Sequence, residues 1–358
     1  MNLTVRQRIW GGFIVITLLL LFIGGNSLIR ITNIDQSTQR VNQLSLPALD
    51  KSYELQVEFI LMSKSAQASF YTTSQDELAA LRKNFTEQKK RYDSSYQELQ
   101  QIVSNDPKLK QSSQEVEQTY KRFAKSVDNL FADKQTQLEL NKTLRTQLES
   151  IEISAEDANS VVLDIIDIDG LEENHSRAYQ AANNMENNFQ SVVTNSTDML
   201  TVKTLNTLDI VKNEQVYYLE EVERSLGLIR PAIIDNNADL YNDLNGYFES
   251  LANNVRGNNS LSANKKRLID AIAQTESELA NAEKSTTEAL KQLKELVDQA
   301  TVLAFDLQQD VSGNVSTATI WTWIAMVIAT LIAIAVAAIT VSRITKPLSE
   351  VNRILDIV

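Results

Sequence analysis

Residues 116–165, VEQTYKRFAKSVDNLFADKQTQLELNKTLRTQLESIEISAEDANSVVLDI, bring a side chain to one helix face at alternating steps of four and three. This heptad spacing is typical of a helix that packs along the seam of a bundle or coiled coil. From Pro107 to about Ile168 the helix would be about 90 Å long, which is too long for one compact four-helix bundle. The stretch therefore predicts an all-α fold with more than one bundle. The stripe consists of Val116, Tyr120, Phe123, Val127, Leu130, Lys134, Gln137, Asn141, Leu144, Leu148, Ile151, Ala155, Ala158, Val162 and Ile165.

Three consecutive positions of this stripe are polar, namely Lys134, Gln137 and Asn141. One interpretation is a polar layer that lines a ligand pocket or marks the junction of two stacked bundles. The other is a stutter in the heptad, in which Phe131 and Leu138 take over the seam and the polar side chains turn to solvent. The sequence leaves both interpretations open.

The composition agrees with a chain of long helices. Its 358 residues include only nine glycines and four prolines, so few turns are expected. There are 34 Lys and Arg against 46 Asp and Glu, which gives a net charge of -12. No cysteine is present, which excludes a disulfide framework and a thiolate metal site. The acidic balance argues against nucleic-acid binding.

Two apolar segments are long enough to cross a membrane. Residues 9–29 contain no charge, and residues 311–342 are also free of charge, with the strongest apolar run from Ile320 to Val341. A cleaved signal peptide is the competing interpretation of the first segment, but its apolar run is long and lacks an A-x-A site. Trp10, Trp321 and Trp323 lie at the segment edges, where indoles prefer the headgroup level. We expect transmembrane helices at 9–29 and 319–342.

The basic residues predict the orientation of these spans. Arg6 and Arg8 precede the first span, and three more basic residues follow the second, whereas none lies between Lys294 and Arg343. By the positive-inside rule, residues 1–8 and 343–358 are cytoplasmic and residues 30–318 form an external domain.

We expect six helices in the external domain. The first continues from the membrane to about Tyr71, and the second begins at Ser74, which forms a capping box with Glu77. The third starts at Pro107, an allowed first-turn position. The fourth extends to about Leu228, ahead of Pro231, a shorter fifth ends at NNVRGNNSLS, and the sixth runs from about Ser262 into the second span.

The last residues start another helix as the chain leaves the second span. Ile344, Leu348, Val351, Leu355 and Val358 are spaced by four and three, within a stretch that contains KPLSEV. This segment resembles the first helix of a HAMP domain, the relay module of bacterial transmembrane receptors. The resemblance implies a signal-relay role for four positions. They are Pro347, Leu348, Val351 and Leu355.

The whole layout resembles a bacterial methyl-accepting chemotaxis protein with a helical bimodular sensor, built as two stacked four-helix bundles. The resemblance implies a homodimer in the inner membrane whose periplasmic domain 30–318 senses a small ligand, often an organic acid, directly or through a periplasmic binding protein. It also implies a cytoplasmic signalling domain beyond residue 358, which would act on a kinase and an adaptor. Two alternatives remain open. One is the input region of a sensor histidine kinase, a class that includes trimethylamine-oxide sensors that read a binding protein, and the other is a structural coiled-coil membrane protein.

No catalytic motif, cofactor site or metal-ligand cluster is visible, so we expect no enzyme activity and no cofactor. The single histidine, His175, lies in a polar segment without partners. Ligand contacts are instead expected from cations on or beside the seams, because a charge on a seam costs stability unless it is paired. The alternative is that long side chains reach solvent and pair with surface carboxylates. Besides Lys134, Gln137 and Asn141, the candidates are Lys51, Lys203, Arg40 and Arg177.

Overall fold

A computed structural model describes residues 5–341 of the chain, and within this range every regular element is a helix. The predicted all-α class is confirmed. A π-helical turn at Val41–Ser45 separates the first two helices, and a short 3-10 turn at Val103–Asn105 follows the third. The helices are α1 Val5–Arg40, α2 Leu46–Tyr71, α3 Gln75–Ile102, α4 Pro107–Ile166, α5 Leu171–Asn174, α6 Ser176–Thr201, α7 Leu205–Ile233, α8 Ala238–Val255 and α9 Leu261–Thr340.

The chain divides into two compact units. Within the described range, the first unit contains residues 5–57, 91–117 and 290–341. The second unit contains residues 58–90 and 118–289.

Two helical stretches, Trp10–Tyr71 and Leu261–Ile339, are long and apolar enough to cross a membrane, and the apolar part of each lies in the first unit. Their apolar side chains are largely exposed in the monomer, as expected for surfaces that face lipid. The helices approach closely at Gly12, where an added Cβ would lie 3.0 Å from a methyl carbon of Val336. Glycine at this position therefore permits the close packing of α1 on α9. In the π turn after α1, the hydroxyl of buried Ser45 also donates to the carbonyl of Ala300 on α9 at 2.5 Å.

The second unit has an aromatic core in the part formed by residues 58–90 and the middle of α4. The ring of Phe59 lies 4.6 Å from that of Phe123, and Phe85 lies 5.7 Å from Phe131. A further apolar cluster extends from Leu144 through α6, α7 and α8 to the start of α9. The stripe predicted on α4 is confirmed for its apolar members, which are all buried except for the half-buried Leu148.

The predicted first three helices of the external region are confirmed at their turns. The hydroxyl of Ser74 accepts from the backbone N–H of Glu77 at 3.4 Å, and the Glu77 carboxylate in turn accepts from the hydroxyl of Thr72. Asp106, directly before Pro107, accepts from the N–H of Lys108 and that of the next residue at 3.1 Å. Both helices thus begin at a side-chain cap, as expected.

The prediction of a single fourth helix is wrong. Helix α6 ends at Thr201, and α7 begins at Leu205. Thr204 has an extended backbone, and its side chain accepts from the N–H of Thr207 at 3.3 Å, so it acts as an N-cap in a turn without glycine or proline. Pro231, expected to lie beyond the helix, lies in the last turn of α7.

Helix α9 runs without interruption from Leu261 through the second apolar segment to Thr340, as expected for the sixth helix. The predicted HAMP segment 343–358, with Pro347, Leu348, Val351 and Leu355, lies outside the described residues.

Candidate ligand cleft at the first helical hairpin

Lys134 closes the C-terminal end of α2. Its Nζ donates to the carbonyl of Phe70 at 2.6 Å and lies 5.8 Å from the centre of the Phe70 ring. The last carbonyls of a helix have no partner within the helix, and they carry partial negative charge that a cation stabilises. Partial burial lowers the pKa of Lys134. The lysine therefore already has a structural partner, and contact with a ligand stays a prediction.

The other two polar seam residues differ from each other. Gln137 is buried, and its amide donates to the carbonyl of Ala271 at 3.0 Å and to the hydroxyl of Thr275. Asn141 is exposed, while Phe131 is buried in the seam. The stutter interpretation thus describes Phe131 and Asn141, whereas Gln137 stays inside as part of a polar layer between α4 and α9.

In the first unit, Lys51 is held by two carboxylates. Its Nζ lies 2.8 Å from Glu54 and 2.8 Å from Glu98, and hydrogen bonding to these carboxylates, that of Glu54 first, raises the pKa of Lys51. Arg40 is exposed and approaches Asp106 at 4.0 Å. These pairs correspond to the alternative of surface ion pairing.

Lys203 and Arg177 do not lie on a buried seam. Lys203 is exposed in the turn between α6 and α7, so its predicted place on the seam of a fourth helix is wrong. Arg177 is exposed in the first turn of α6, and His175 is exposed just before it. The structure brings neither cation into a cavity with other predicted site residues.

Lys265 was not identified from the sequence, yet it repeats the arrangement of Lys134. Its Nζ donates to the carbonyl of Leu200 at 2.6 Å, at the C-terminal end of α6, and burial lowers the pKa of Lys265. The two turns join α2 to α3 and α6 to α7, and their caps, Ser74 and Thr204, are 130 residues apart. The two lysines, on α4 and α9, are 131 residues apart, and this nearly equal spacing is the sequence signal that points to Lys265.

A cleft of about 200 Å³ lies between the start of α3 and the middle of α4, beside the hairpin that α2 and α3 form, within the second unit. Its floor is apolar, since Leu78 and Phe131 are buried there. At its rim, Arg82 is exposed, and no ion pair of this arginine is found among residues 5–341. We call this the hairpin cleft. Its lining consists of Gln75, Leu78, Ala79, Arg82, Phe131 and Gln135.

The chemistry of the hairpin cleft suits a small molecule with an apolar body and an anionic end. An arginine guanidinium binds a carboxylate through paired hydrogen bonds, and Gln75 and Gln135 offer further donors and acceptors. Within residues 5–341 no group of three or more acidic or histidine side chains could hold a metal ion. Sequence reasoning missed Arg82 because an exposed arginine leaves no trace in a heptad pattern.

Residues 2–132 match the family described as "Four helix bundle sensory module for signal transduction". The predicted resemblance to a helical sensor of the chemoreceptor type is thereby confirmed for this part of the chain. No curated protein matches the chain.

Two solved structures share the fold. One is the sensor domain of the V. parahaemolyticus histidine kinase sensor TorS, at 13% identity and a TM-score of 0.52, with 70% of this chain and 99% of that chain covered. The other is a TorS sensor domain–TorT complex in the presence of TMAO, at 12% identity and a TM-score of 0.56, with 71% and 99% covered. At these identities the likeness shows the fold alone.

Proposed function

We propose that the chain is the sensing part of a transmembrane chemoreceptor that detects a small external ligand. The observation that carries this proposal is helix α9, which runs from the sensory region at Leu261 through the apolar segment to Thr340. A continuous helix can pass a small displacement along its axis, because its backbone hydrogen bonds lie within the segment itself. The displacement would bias a bistable element on the inner side, for which the HAMP-like segment 343–358 is the candidate.

The hairpin cleft is the proposed ligand site. The ligand would be a small organic acid whose carboxylate pairs with Arg82 while its carbon skeleton lies on Leu78 and Phe131. The apolar floor excludes water from one side of this pair, which strengthens the charge interaction.

A sensor histidine kinase is the second candidate, and the similarity to the TorS sensor domains favours it. TorS appears in one of these structures together with TorT. By analogy, this chain would bind a periplasmic binding protein in place of a free ligand. The structural coiled-coil alternative has no comparable support, because residues 2–132 match a sensory module.

The proposed receptor is a homodimer in the cytoplasmic membrane, with residues 30–318 in the periplasm. The supporting observation is a stripe of exposed apolar side chains on α2, at heptad-type spacing in the first unit. Burying such a stripe against a second copy would remove it from water. The stripe consists of Leu46, Tyr53 and Val57, which are 51%, 52% and 56% exposed.

The test uses the full chain in lipid nanodiscs and measures its melting temperature against organic acids, amino acids and amine oxides. A ligand that binds only the folded state raises the melting temperature as its occupancy rises. We expect a saturable shift with one class of organic acid, loss of that shift in Arg82→Gln, and no change in the control Lys83→Gln on the same helix. A shift that survives in Arg82→Gln would contradict the assignment of the cleft.

Direct and indirect sensing are separated by a second arm of the same test. If no compound acts alone but a shift appears with a periplasmic protein fraction, a binding-protein partner replaces direct sensing.

A separate experiment distinguishes a chemoreceptor output from a histidine kinase output. Residues 1–358 are fused either to a chemoreceptor signalling domain or to a kinase core. We expect ligand to change the activity of the chemoreceptor fusion, and a response of the kinase fusion alone would favour the second candidate.

A further inference from the structure

The two apolar helices of the first unit enclose a second cleft, of about 140 Å³, which we call the span cleft. On α1 its lining runs from apolar to polar along the helix. The lower part consists of Leu19, Phe22 and Ile23, and the upper part of Asn26, Ser27 and Arg30. From Leu19 to Arg30 the rise is roughly 16 Å, about half of a hydrocarbon core.

Helix α9 supplies the opposite wall with the same gradient of polarity. Ile328 faces the apolar part, while Trp321 and Thr322 lie nearer the polar end. Indole rings concentrate at the headgroup level of a membrane. With the orientation proposed above, the polar end of the span cleft lies at the outer surface of the bilayer and its apolar part within the outer leaflet.

Arg30 is the one charged side chain of this lining. Its Nε atom is buried and has no hydrogen-bond partner within residues 5–341, and no ion pair of Arg30 is found in that range. A buried donor of a charged group without a partner is costly, so an anion that accepts from it is strongly favoured. The planar guanidinium matches the paired oxygens of a phosphate.

We propose that the span cleft is a binding site for an anionic phospholipid of the outer leaflet. The phosphate accepts hydrogen bonds from Arg30, while Asn26 and Ser27 offer further polar contacts to the headgroup. An acyl chain passes Trp321 and lies against Phe22 and Ile328. A bound lipid of this kind touches both α1 and α9, and so it changes the ease with which the two helices slide past each other. This inference rests on the membrane insertion proposed above.

The experiment measures the fluorescence of Trp321 in nanodiscs that contain brominated phospholipid as quencher. The full chain carries Trp10→Phe and Trp323→Phe, so that the remaining indole lines the span cleft. Brominated phosphatidylglycerol and brominated phosphatidylcholine are each titrated into an unbrominated background. We expect about tenfold tighter apparent binding of phosphatidylglycerol, since a charge-assisted hydrogen bond contributes a factor of this order.

Three variants decide the result. Arg30→Gln is expected to reduce the preference to near one, Arg30→Lys to an intermediate value, and the exposed control Arg177→Gln is expected to keep it. Circular dichroism verifies that each variant is folded. If Arg30→Gln does not fold, Arg30→Lys still decides the test. Equal quenching by both lipids in the unsubstituted Arg30 protein would overturn the lipid site but leave membrane insertion standing. Absence of quenching by either lipid would overturn insertion itself, and with it the proposed function.

Discussion

Gln215 on α7 is a buried glutamine whose hydrogen bonding is incomplete, and replacing it should stabilise the protein. Its side chain is 0% exposed, and its amide donates to the hydroxyl of Ser196 at 2.6 Å. Its carbonyl oxygen is buried and has no partner within residues 5–341. Ser196 itself donates to the carbonyl of Val192 at 2.7 Å, so it keeps a partner if the glutamine is removed.

The magnitude follows from two opposing contributions in Gln215→Met, a change of nearly constant volume. Loss of the bond to Ser196 costs about 1 kcal/mol, whereas removal of an unpaired buried acceptor gains about 1–3 kcal/mol. We expect the free energy of unfolding to rise by about 1 kcal/mol. Gln137→Met is the matched comparison, because Gln137 donates to both Ala271 and Thr275. That change removes two hydrogen bonds and should lower the free energy of unfolding by about 2 kcal/mol.

The assay is urea unfolding of the full chain in detergent, followed by far-ultraviolet circular dichroism. Tryptophan fluorescence would not report on this region, because the three tryptophans are Trp10, Trp321 and Trp323. Amide hydrogen exchange then locates the effect, and slower exchange is expected in α6 and α7 for Gln215→Met. If Gln215→Met lowers the midpoint as much as Gln137→Met does, the Gln215 carbonyl has a partner in solution and the reasoning is wrong.

Three further changes test the charges and the exposed faces. Lys51 holds the pKa of Glu54 below its usual value of 4.5, so the contribution of this ion pair to stability is present above that pH and is lost as pH falls through the folded pKa. The stability lost in Lys51→Met, at most about 1 kcal/mol, should therefore shrink as pH falls below 4.5, which the melting temperatures of wild type and variant over this range will test. Because burial depresses the pKa of Lys265, the wild type should gain stability as pH rises toward 10.5, whereas Lys265→Met should not. At neutral pH, Lys265→Met should also speed amide hydrogen exchange at the end of α6, where the lysine contacts the Leu200 carbonyl. Val57→Glu should convert a dimer to a monomer in sedimentation velocity, whereas Ile210→Glu, at a similarly exposed position, should not.

The long helices could be predicted from the sequence because their signals are redundant. The stripe on α4 is repeated over many turns, so the exposure of a single member such as Asn141 does not change the assignment. The helix starts at Ser74 and Pro107 combine a cap with a break in the apolar period. Each signal agrees with the others, which makes the prediction stable against a local error.

The break between α6 and α7 could not be found in the same way. The turn after Thr201 contains neither glycine nor proline, and Val202 is buried in it, so the apolar pattern continues across the break. Only the N-cap at Thr204 marks the new helix, and a threonine is common within helices and turns alike. Tertiary packing therefore decides this turn, and Lys203 moves from an expected seam to an exposed position as a consequence.

The residues of the candidate site were predicted less well than the helices, because the partner of a charged side chain on a seam cannot be read from the heptad pattern. A cation on a seam predicts a ligand contact because it needs a negative partner. In this chain the partner can be the end of a neighbouring helix, where Phe70 and Leu200 offer carbonyls to Lys134 and Lys265. Sequence periodicity shows where a side chain faces but not where the neighbouring helix ends. In chains built from repeated hairpins, a lysine on a seam should therefore first be compared with the neighbouring helix end that corresponds to it in the repeat. Arg30 and Arg82 have no such partner within the described residues, and they remain candidates for ligand contacts.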